Sequence, residues 1–278
     1  MSAASGNAPG READPAGGGV GAPDRAGGPD RAGGPDNVVI LTGAAEGLGH
    51  EIAIELAAWR YRVVLLDVQA EKLERLASAL RADGAEVLPI VVDLSHADAT
   101  AGAAAEALEA YPGPRALVHD AAVLREATFD EVTFESWRRE VDVTMQAAFI
   151  LSRAVWPSMV AAHRGSIVYV SSGSALNGFV KEPAYTPAKH AQEGLMRVLE
   201  LEGRQHNIAV NTMTTGRSID TPMSASHYTP EMRIGMVHPS RLAPAFAYLA
   251  GIDAGVATGQ RFNAFQMSEA MRCAASRS

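Results

Sequence analysis

The sequence has a single cysteine, Cys273, among its 278 residues, which excludes an internal disulfide and a cysteine metal cluster and favours a reducing cytoplasm. No apolar run approaches the roughly 18 residues of a membrane span, so no membrane segment is predicted. Basic residues are also scarce, since 24 Lys and Arg stand against 32 Asp and Glu and leave a net charge of −8. This balance argues against a nucleic-acid surface, and no metal site is expected.

The overall composition is typical of a globular protein, because 47% of the residues are hydrophobic and 20% are charged. Residues 1–36 differ in kind: they contain few large apolar side chains and repeat Pro-Asp-Arg-Ala-Gly-Gly between positions 23 and 34. Such a segment cannot offset its ordering entropy by burial, so it is predicted to be a disordered tail. It also lacks the apolar stretch of a signal peptide. One folded domain is predicted over residues 37–278.

Short apolar runs alternate with helical patterns along this domain. Strict alternation of this kind predicts an α/β fold with a doubly wound parallel sheet flanked by helices, in which ligands bind at the carboxyl ends of the strands. The predicted strands are 38–41, 62–66, 86–92, 115–119, 166–171, 207–213 and a short last one near 259–263. The predicted helices are 50–59, 70–82, 97–110, 136–162, 187–204 and one near 240–250.

A glycine-rich turn, Thr42–Gly49, separates the first predicted strand from the first predicted helix. Glycines permit a tight turn and let backbone N–H groups approach an anion at the helix N-terminus. No Gly-Lys-Ser/Thr follows, so a nucleotide triphosphatase loop is not supported. The turn is therefore predicted to bind a dinucleotide cofactor, through residues Gly43, Glu46, Gly47, Leu48 and Gly49.

Asp67 ends the second predicted strand, about twenty residues after the glycine turn. A carboxylate there can accept hydrogen bonds from the two hydroxyls of a ribose, and it repels a 2′-phosphate. Glu46 adds to this repulsion, so the charge pattern favours NAD, with NADP less likely on this ground. The alternative for Asp67 alone is an aspartate that caps the next helix.

Tyr185 and Lys189 are four residues apart, so both lie on one face if a helix begins near Tyr185. Pro187 fits the first turn of such a helix. A lysine ammonium nearby is expected to lower the pKa of the tyrosine, which would make it a better acid/base near neutral pH. Ser172, in the loop before them, could hydrogen-bond the reacting oxygen. The alternative is an ordinary surface pair on an amphipathic helix.

Taken together, these motifs and their order make the chain resemble the short-chain dehydrogenase/reductase family over residues 37–264. The resemblance rests on Thr42–Gly49, Asp67, Asp93-Leu94, Ser172, Tyr185-x-x-x-Lys189, Val210-Asn211 and Thr221-Pro222-Met223. It implies a single Rossmann-type domain, usually in a homodimer or homotetramer, that binds a nicotinamide cofactor and interconverts an alcohol and a ketone. It also implies that Tyr185 is the acid/base, that Lys189 holds the nicotinamide ribose and that Ser172 orients the substrate oxygen.

The same resemblance extends the predicted site and marks three departures. It implies that further cofactor contacts come from Asp93, Leu94, His119, Ala121 and Thr221, besides Tyr185 and Lys189 themselves. The loop that usually reads Asn-Asn-Ala-Gly is His119-Asp120-Ala121-Ala122, and Thr215-Gly216 replaces the usual Pro-Gly. Thr144 holds the place of a catalytic asparagine that anchors a water on the proton path. Its hydroxyl is expected either to bind such a water or to turn back to a helix carbonyl.

Two functions remain open on the sequence. The first is an NAD-dependent oxidoreductase that interconverts a secondary alcohol and a ketone. The second is a cofactor-binding protein with little catalysis that acts in regulation or association, which Thr144 and the altered 119–122 loop motivate. Retention of Ser172, Tyr185 and Lys189 together favours the enzyme, because a scaffold has no evident need for all three.

Overall fold

Short apolar runs build a seven-stranded sheet in the computed structural model, which describes residues 37–276. The strand order is β3-β2-β1-β4-β5-β6-β7, and every pairing is parallel. The strands are β1 (Val38–Thr42), β2 (Arg62–Asp67), β3 (Val87–Val91), β4 (Ala116–His119), β5 (Gly165–Val170), β6 (Ile208–Thr214) and β7 (Arg261–Asn263). The predicted disordered tail, residues 1–36, lies outside the described residues.

Helices cover both faces of this sheet. None of those in residues 37–276 combines the length and the apolar character that crossing a membrane requires. The helices are α1 (Gly47–Ala58), α2 (Ala70–Ala82), α3 (Ala97–Ala110), α4 (Phe134–Val141), α5 (Ala147–Ala162), α6 (Tyr185–Gly203), α7 (Pro222–His227), α8 (Ala243–Ala250) and α9 (Ala264–Ser276).

The period of two along each strand divides the core into two layers. Val39 and Leu41 of β1 pack with residues of α1, α2 and α8, whereas Val38 and Ile40 pack with residues of α3, α5 and α6. All four are at most 2% exposed, and burying each such side chain stabilises the fold by about 1.5–3 kcal/mol. The predicted doubly wound parallel sheet is thereby confirmed.

The register of the central strands brings their carboxyl ends to one edge. Thr42, the last residue of β1, pairs with Leu66 of β2 and with His119 of β4. The chain winds outward in opposite directions from β1 and β4, and the crevice at such a reversal is where open α/β sheets bind ligands. The fold therefore places the glycine turn, the end of β2 and the loop after β5 around one crevice.

The structure differs from the predicted elements in three places. The helix predicted over 136–162 is α4 and α5 joined by a π-helical turn, Asp142–Gln146. Helix α7 was missed because it has only six residues, although Thr221 and Ser224 cap its start reciprocally. Helix α9 was missed because it follows β7 without an intervening loop.

Candidate active site

The turn between β1 and α1 requires glycine at its first bend. Gly43 has a φ of +70°, a left-handed conformation that glycine adopts without strain. A Cβ added to Gly43 would lie 2.9 Å from the backbone nitrogen of Ala121, so the turn packs directly on the chain that follows β4. Leu48 is buried below it. The N-terminus of α1 then faces the crevice, where its backbone N–H groups can bind an anion.

Gly49, in the first turn of α1, allows the closest backbone approach in this region. A Cβ added there would lie 2.1 Å from the carbonyl oxygen of Gly43 and 2.9 Å from Oδ2 of Asp120. No side chain fits that space. The helix start, the strand end and the loop after β4 are therefore held together at a position where only glycine is possible.

Asp67 ends β2 beside this turn and is 8% exposed. Its Oδ2 accepts a hydrogen bond from the backbone N–H of Ala45 (3.0 Å), and its Oδ1 accepts one from that of Gln69 (2.9 Å). A carboxylate has about four acceptor positions, so it can still receive hydrogen bonds from a ribose. The same contacts fix its orientation toward the turn.

Two further charged groups lie near the glycine turn and the end of β3. Glu46 forms an ion pair with Lys72 of α2, so a cation sits at the mouth of the turn but is held by a carboxylate. Burial would raise the pKa of Asp93, but hydrogen bonds from Ser95 and the charges of Arg139 and His96 lower it overall. Its neighbour Leu94 is buried in the core.

His119 is fully enclosed at the end of β4. Its Nδ1 lies 3.0 Å from the hydroxyl of Thr42, and its Nε2 lies 3.1 Å from the carbonyl oxygen of Thr144. Since a carbonyl only accepts, Nε2 carries the proton and Nδ1 accepts from Thr42. The hydroxyl oxygen of Thr42 in turn accepts hydrogen bonds from the N–H groups of Asp120 (3.1 Å) and Ala121 (3.0 Å). The His119 side chain thus supports the 119–122 loop from behind, which leaves only its backbone for the predicted cofactor contact.

This burial makes His119 a source of acid sensitivity. Burial, and the charge of Lys189, lower the pKa of His119 to about 3 from an ordinary value near 6.5. The unfolded chain therefore binds a proton between these two pH values that the folded chain does not, so stability falls as the pH drops from 6.5 toward 3. Each pH unit in this range lowers the free energy of unfolding by about 1.4 kcal/mol.

We expect a His119→Asn variant to lose this component. Asparagine offers one donor and one acceptor without titrating. Lowering the pH from 7 to 5 should therefore reduce the free energy of unfolding, measured with denaturant, by about 2 kcal/mol more in wild type than in the variant. Comparing the two chains at each pH cancels the other titrating groups. Identical pH dependence in both would show that His119 is already protonated, or exposed, in the folded protein.

Ser172 and Tyr185 meet where the loop after β5 leads into α6. The side chain of Ser172 accepts a hydrogen bond from the N–H of Ser174 (3.2 Å) and so caps the short 3₁₀ turn Gly173–Ala175. Helix α6 begins at Tyr185, and Pro187 lies in its first turn as predicted. Tyr185 is 9% exposed. The loop and the helix start therefore bring a hydroxyl and a phenol together at the crevice.

The electrostatics of Tyr185 differ from the expectation. Burial raises its pKa above the ordinary value, and hydrogen bonding with Ser172 only partly opposes that rise. Lys189 lies with its Nζ 5.5 Å from the centre of the Tyr185 ring. The phenol is thus held in its protonated form in the free protein.

Lys189 is 2% exposed and is held by two acceptors within the protein. Its Nζ donates to the carbonyl oxygen of Val170 (2.6 Å) and to Oε1 of Gln192 (3.1 Å). The amide of Gln192 then donates through Nε2 to the carbonyl oxygen of Thr144 (2.7 Å). Burial lowers the pKa of Lys189, while the carboxylates of Asp120 and Glu193 favour its charged form.

Thr144 does not make the hydrogen bond to a helix carbonyl that was one of its two expected arrangements. It lies in the π-helical turn and is fully buried, and its hydroxyl oxygen has no hydrogen-bond partner among the described residues. Its carbonyl oxygen instead receives the hydrogen bonds from His119 and Gln192. The side chain of Gln192 therefore links the lysine to the helix directly.

The remaining predicted contacts lie on the opposite wall of the crevice. Thr221 caps α7, and a Cβ added to Gly47 would come within 3.5 Å of the Thr221 side chain. The segment before α7 thus closes against the glycine turn. Among residues 37–276, no group of three or more His, Cys, Asp or Glu side chains is arranged to hold a metal ion.

Comparison with known proteins identifies the family to which this chain belongs. A family model described as short chain dehydrogenase matches residues 37–231. The chain belongs to that family. An acetoacetyl-CoA reductase of Acinetobacter sp. (strain RA3849) is 28% identical over 80% of this chain and 94% of its own. A cyclohexanol dehydrogenase of Acinetobacter sp. (strain SE19) is 28% identical over 81% and 92%.

A solved structure shows the same relationship in three dimensions. The crystal structure of a metagenomic short-chain oxidoreductase in complex with NADP is 30% identical, with a TM-score of 0.72 over 82% of this chain and 96% of that one. The chain is accordingly an oxidoreductase of a family whose solved members bind a nicotinamide dinucleotide.

Two residues that support the site of this short-chain dehydrogenase, Gln192 and Arg261, were not predicted from the sequence. Gln192 stands three residues after Lys189, and that spacing on a helix was the available signal. Arg261 of β7 gave no local signal, because its partners are distant in sequence. It donates to the carbonyl oxygen of Ser172 (2.6 Å) and pairs with Glu193 of α6 (3.2 Å), so it braces the serine loop against the helix.

Proposed function

We propose that this short-chain dehydrogenase interconverts a secondary alcohol and a ketone, with Tyr185 as the acid/base. The observation that carries the proposal is the convergence of Ser172, Tyr185 and Lys189 at the mouth of the crevice whose floor is the glycine turn. The names of the two curated relatives, a ketone-reducing enzyme and an alcohol dehydrogenase, fit this reaction.

The residues at the start of α1 and the end of β2 fit a bound dinucleotide. Backbone N–H groups at the start of α1 suit a pyrophosphate. Asp67 suits the hydroxyls of a ribose. When bound, the nicotinamide supplies or accepts the hydride.

Each catalytic side chain then has a distinct task. In reduction, the Tyr185 hydroxyl donates its proton to the substrate oxygen as that oxygen gains negative charge, and in oxidation the proton returns to the phenolate. Ser172 hydrogen-bonds the same oxygen and orients it. The ammonium of Lys189 is fixed by Val170 and Gln192. It would stabilise the phenolate and hold the nicotinamide ribose.

An activity screen tests the proposal. Purified protein would be assayed by nicotinamide absorbance with NAD and a panel of secondary alcohols and sugars, and in reverse with the reduced cofactor and the matching ketones. Turnover that requires both the cofactor and Tyr185 would support the assignment. Cofactor binding without hydride transfer to any carbonyl compound, or from any alcohol, would favour a regulatory protein instead.

We further propose that NAD is preferred to NADP. Asp67 places negative charge where a 2′-phosphate would lie, and Lys72 is paired with Glu46 and so is not free to bind that phosphate. The NADP in the metagenomic relative's structure points the other way. The charges of this chain's own residues support NAD, and kinetics with both cofactors test that preference.

Replacing Asp67 with alanine is expected to raise the NADP/NAD ratio of kcat/KM by about tenfold or more, since the repelling charge and the ribose acceptor are both removed. Glu71→Ala is the matched control, because it removes an exposed carboxylate from the first turn of α2. Steady-state kinetics with both cofactors would measure the ratio. A wild type that prefers NADP, or a ratio unmoved by Asp67→Ala, would remove Asp67 from this role.

We also propose a homodimer or homotetramer, acting on a small molecule in the cytoplasm. Phe149 of α5 and Val198 and Leu201 of α6 are 47%, 52% and 69% exposed, and such apolar groups on neighbouring helices favour a subunit interface. Light scattering after size exclusion would measure the oligomeric state.

A further inference from the structure

A largely buried ion pair lies behind the loop that follows β5, and the proposed mechanism does not use it. The pair joins Glu193, on α6 one turn after Lys189, to Arg261 of β7, with 3.2 Å between Oε1 and Nε. The two side chains are 18% and 21% exposed. Withdrawing charges from water is unfavourable unless hydrogen bonds satisfy them, so their further partners indicate what the pair does.

The carboxylate of Glu193 accepts hydrogen bonds from two neighbouring segments of the sheet. Its Oε1 accepts from the hydroxyl of Ser171 (2.5 Å), the residue between the end of β5 and Ser172. Its Oε2 accepts from the hydroxyl of Thr212 in β6 (3.0 Å). Both donors are buried. Because hydrogen bonds to a charged acceptor are stronger than neutral ones, this carboxylate ties the start of the loop to β6 and α6.

Arg261 connects the same carboxylate to Ser172 itself. Its Nη2 donates to the carbonyl oxygen of Ser172 (2.6 Å), while its Nε donates to Glu193. A guanidinium is planar and rigid, so two donors of one group fix the distance between their two acceptors. The backbone is therefore anchored on both sides of the peptide bond between Ser171 and Ser172, through the hydroxyl of the first and the carbonyl of the second.

This stretch of backbone sets the position of two groups of the site. The hydroxyl of Ser172 hydrogen-bonds Tyr185, so a shift of the loop moves the serine relative to the phenol. The ammonium of Lys189 donates to the carbonyl oxygen of Val170, at the end of β5 just before the loop. A displacement of about 1 Å at a reacting group can lower a rate about 10²-fold. Small movements here are therefore expected to affect turnover more than stability.

We propose that Glu193 and Arg261 are positioning residues, which hold the backbone of Ser172 so that its hydroxyl meets the substrate oxygen together with Tyr185. This inference rests on the proposed function and adds two residues that act through Ser172. A merely structural ion pair would stabilise the fold but would leave the turnover of the folded enzyme unchanged.

Replacing Arg261 with methionine tests the proposal, because methionine keeps an apolar stem and removes both donors. The variant is expected to lower kcat by about 10- to 100-fold, while its dissociation constant for the cofactor stays within about threefold of wild type. Glu193→Gln keeps the size of the side chain, removes its charge and should lower kcat in the same direction. Arg204→Met is the matched control, since Arg204 directly follows α6 and pairs with Glu200 (2.6 Å) at the other end of that helix.

A double-mutant cycle with Ser172→Ala shows whether the pair acts through Ser172. Once the serine hydroxyl is absent its position no longer matters, so Arg261→Met should lower the remaining kcat by less than about twofold. If Arg261→Met does not fold, Glu193→Gln takes its place in the cycle.

Three results would overturn the inference. They are full additivity with Ser172→Ala, normal kcat in both Arg261→Met and Glu193→Gln, and an equal loss of kcat in Arg204→Met. In each case Tyr185-dependent turnover by the wild type would leave the proposed function standing. A wild type that turns over no alcohol or ketone would instead overturn the proposed function, and the positioning role with it.

Discussion

Replacing Tyr185 with phenylalanine is expected to lower kcat by at least about 10²–10⁴-fold, the usual contribution of a positioned general acid/base. The substitution removes only the hydroxyl, so the buried ring keeps its packing and the fold should remain intact. Burial keeps the Tyr185 phenol protonated at neutral pH, so it carries the proton that reduction requires. Steady-state kinetics on the best substrate would measure the loss.

Cofactor binding separates this effect from misfolding. Titration with the dinucleotide should give nearly the same dissociation constant for Tyr185→Phe as for wild type, because Asp67 and the glycine turn are unchanged. Tyr111→Phe is the control, since that tyrosine lies at the end of α3 and bonds Glu86 away from the crevice. Near-normal turnover by Tyr185→Phe would mean that another group transfers the proton.

Replacing Gly49 with alanine is expected to abolish cofactor binding and to destabilise the fold by more than about 3 kcal/mol. The added Cβ would lie 2.1 Å from the carbonyl oxygen of Gly43, and a backbone atom cannot rotate away as a flexible side chain can. The start of α1 must therefore move away from the end of β1. Equilibrium unfolding and cofactor titration would measure the two losses.

Gly102→Ala is the matched control for this prediction. Gly102 lies within α3, and nothing lies within 4 Å of a Cβ added there. The same chemical change should therefore stabilise the protein by about 0.5–1 kcal/mol, because alanine is the better helix former. If Gly49→Ala were as stable as wild type and bound the cofactor normally, the close approach described here would be wrong.

Much of the fold could be predicted because its signals are local. Each strand is a short apolar run, each helix has its own pattern, and strict alternation leaves a parallel sheet as the simple solution. Asp67 could be placed because the end of a strand is visible in the sequence. The spacing of Tyr185 and Lys189 could be interpreted because α6 begins at Tyr185.

The rest depends on contacts between distant parts of the chain. Nothing near Arg261 indicates that it reaches Ser172, 89 residues earlier. The π-helical turn looks like ordinary helix in the sequence, yet it presents the Thr144 carbonyl to both His119 and Gln192. The spacing predicted that Lys189 and Tyr185 lie close together, but it could not predict the burial that dominates the pKa of the phenol.

The two hydrogen bonds that Lys189 donates within the protein limit how many further groups its ammonium can bind. An ammonium has three N–H bonds, and Val170 and Gln192 take two of them. One hydrogen remains to point into the crevice, so a ribose hydroxyl and the Tyr185 oxygen must share it or take it in turn. Because the Tyr185 oxygen belongs to the protein, a ribose hydroxyl would have to compete with it for that hydrogen when the cofactor binds.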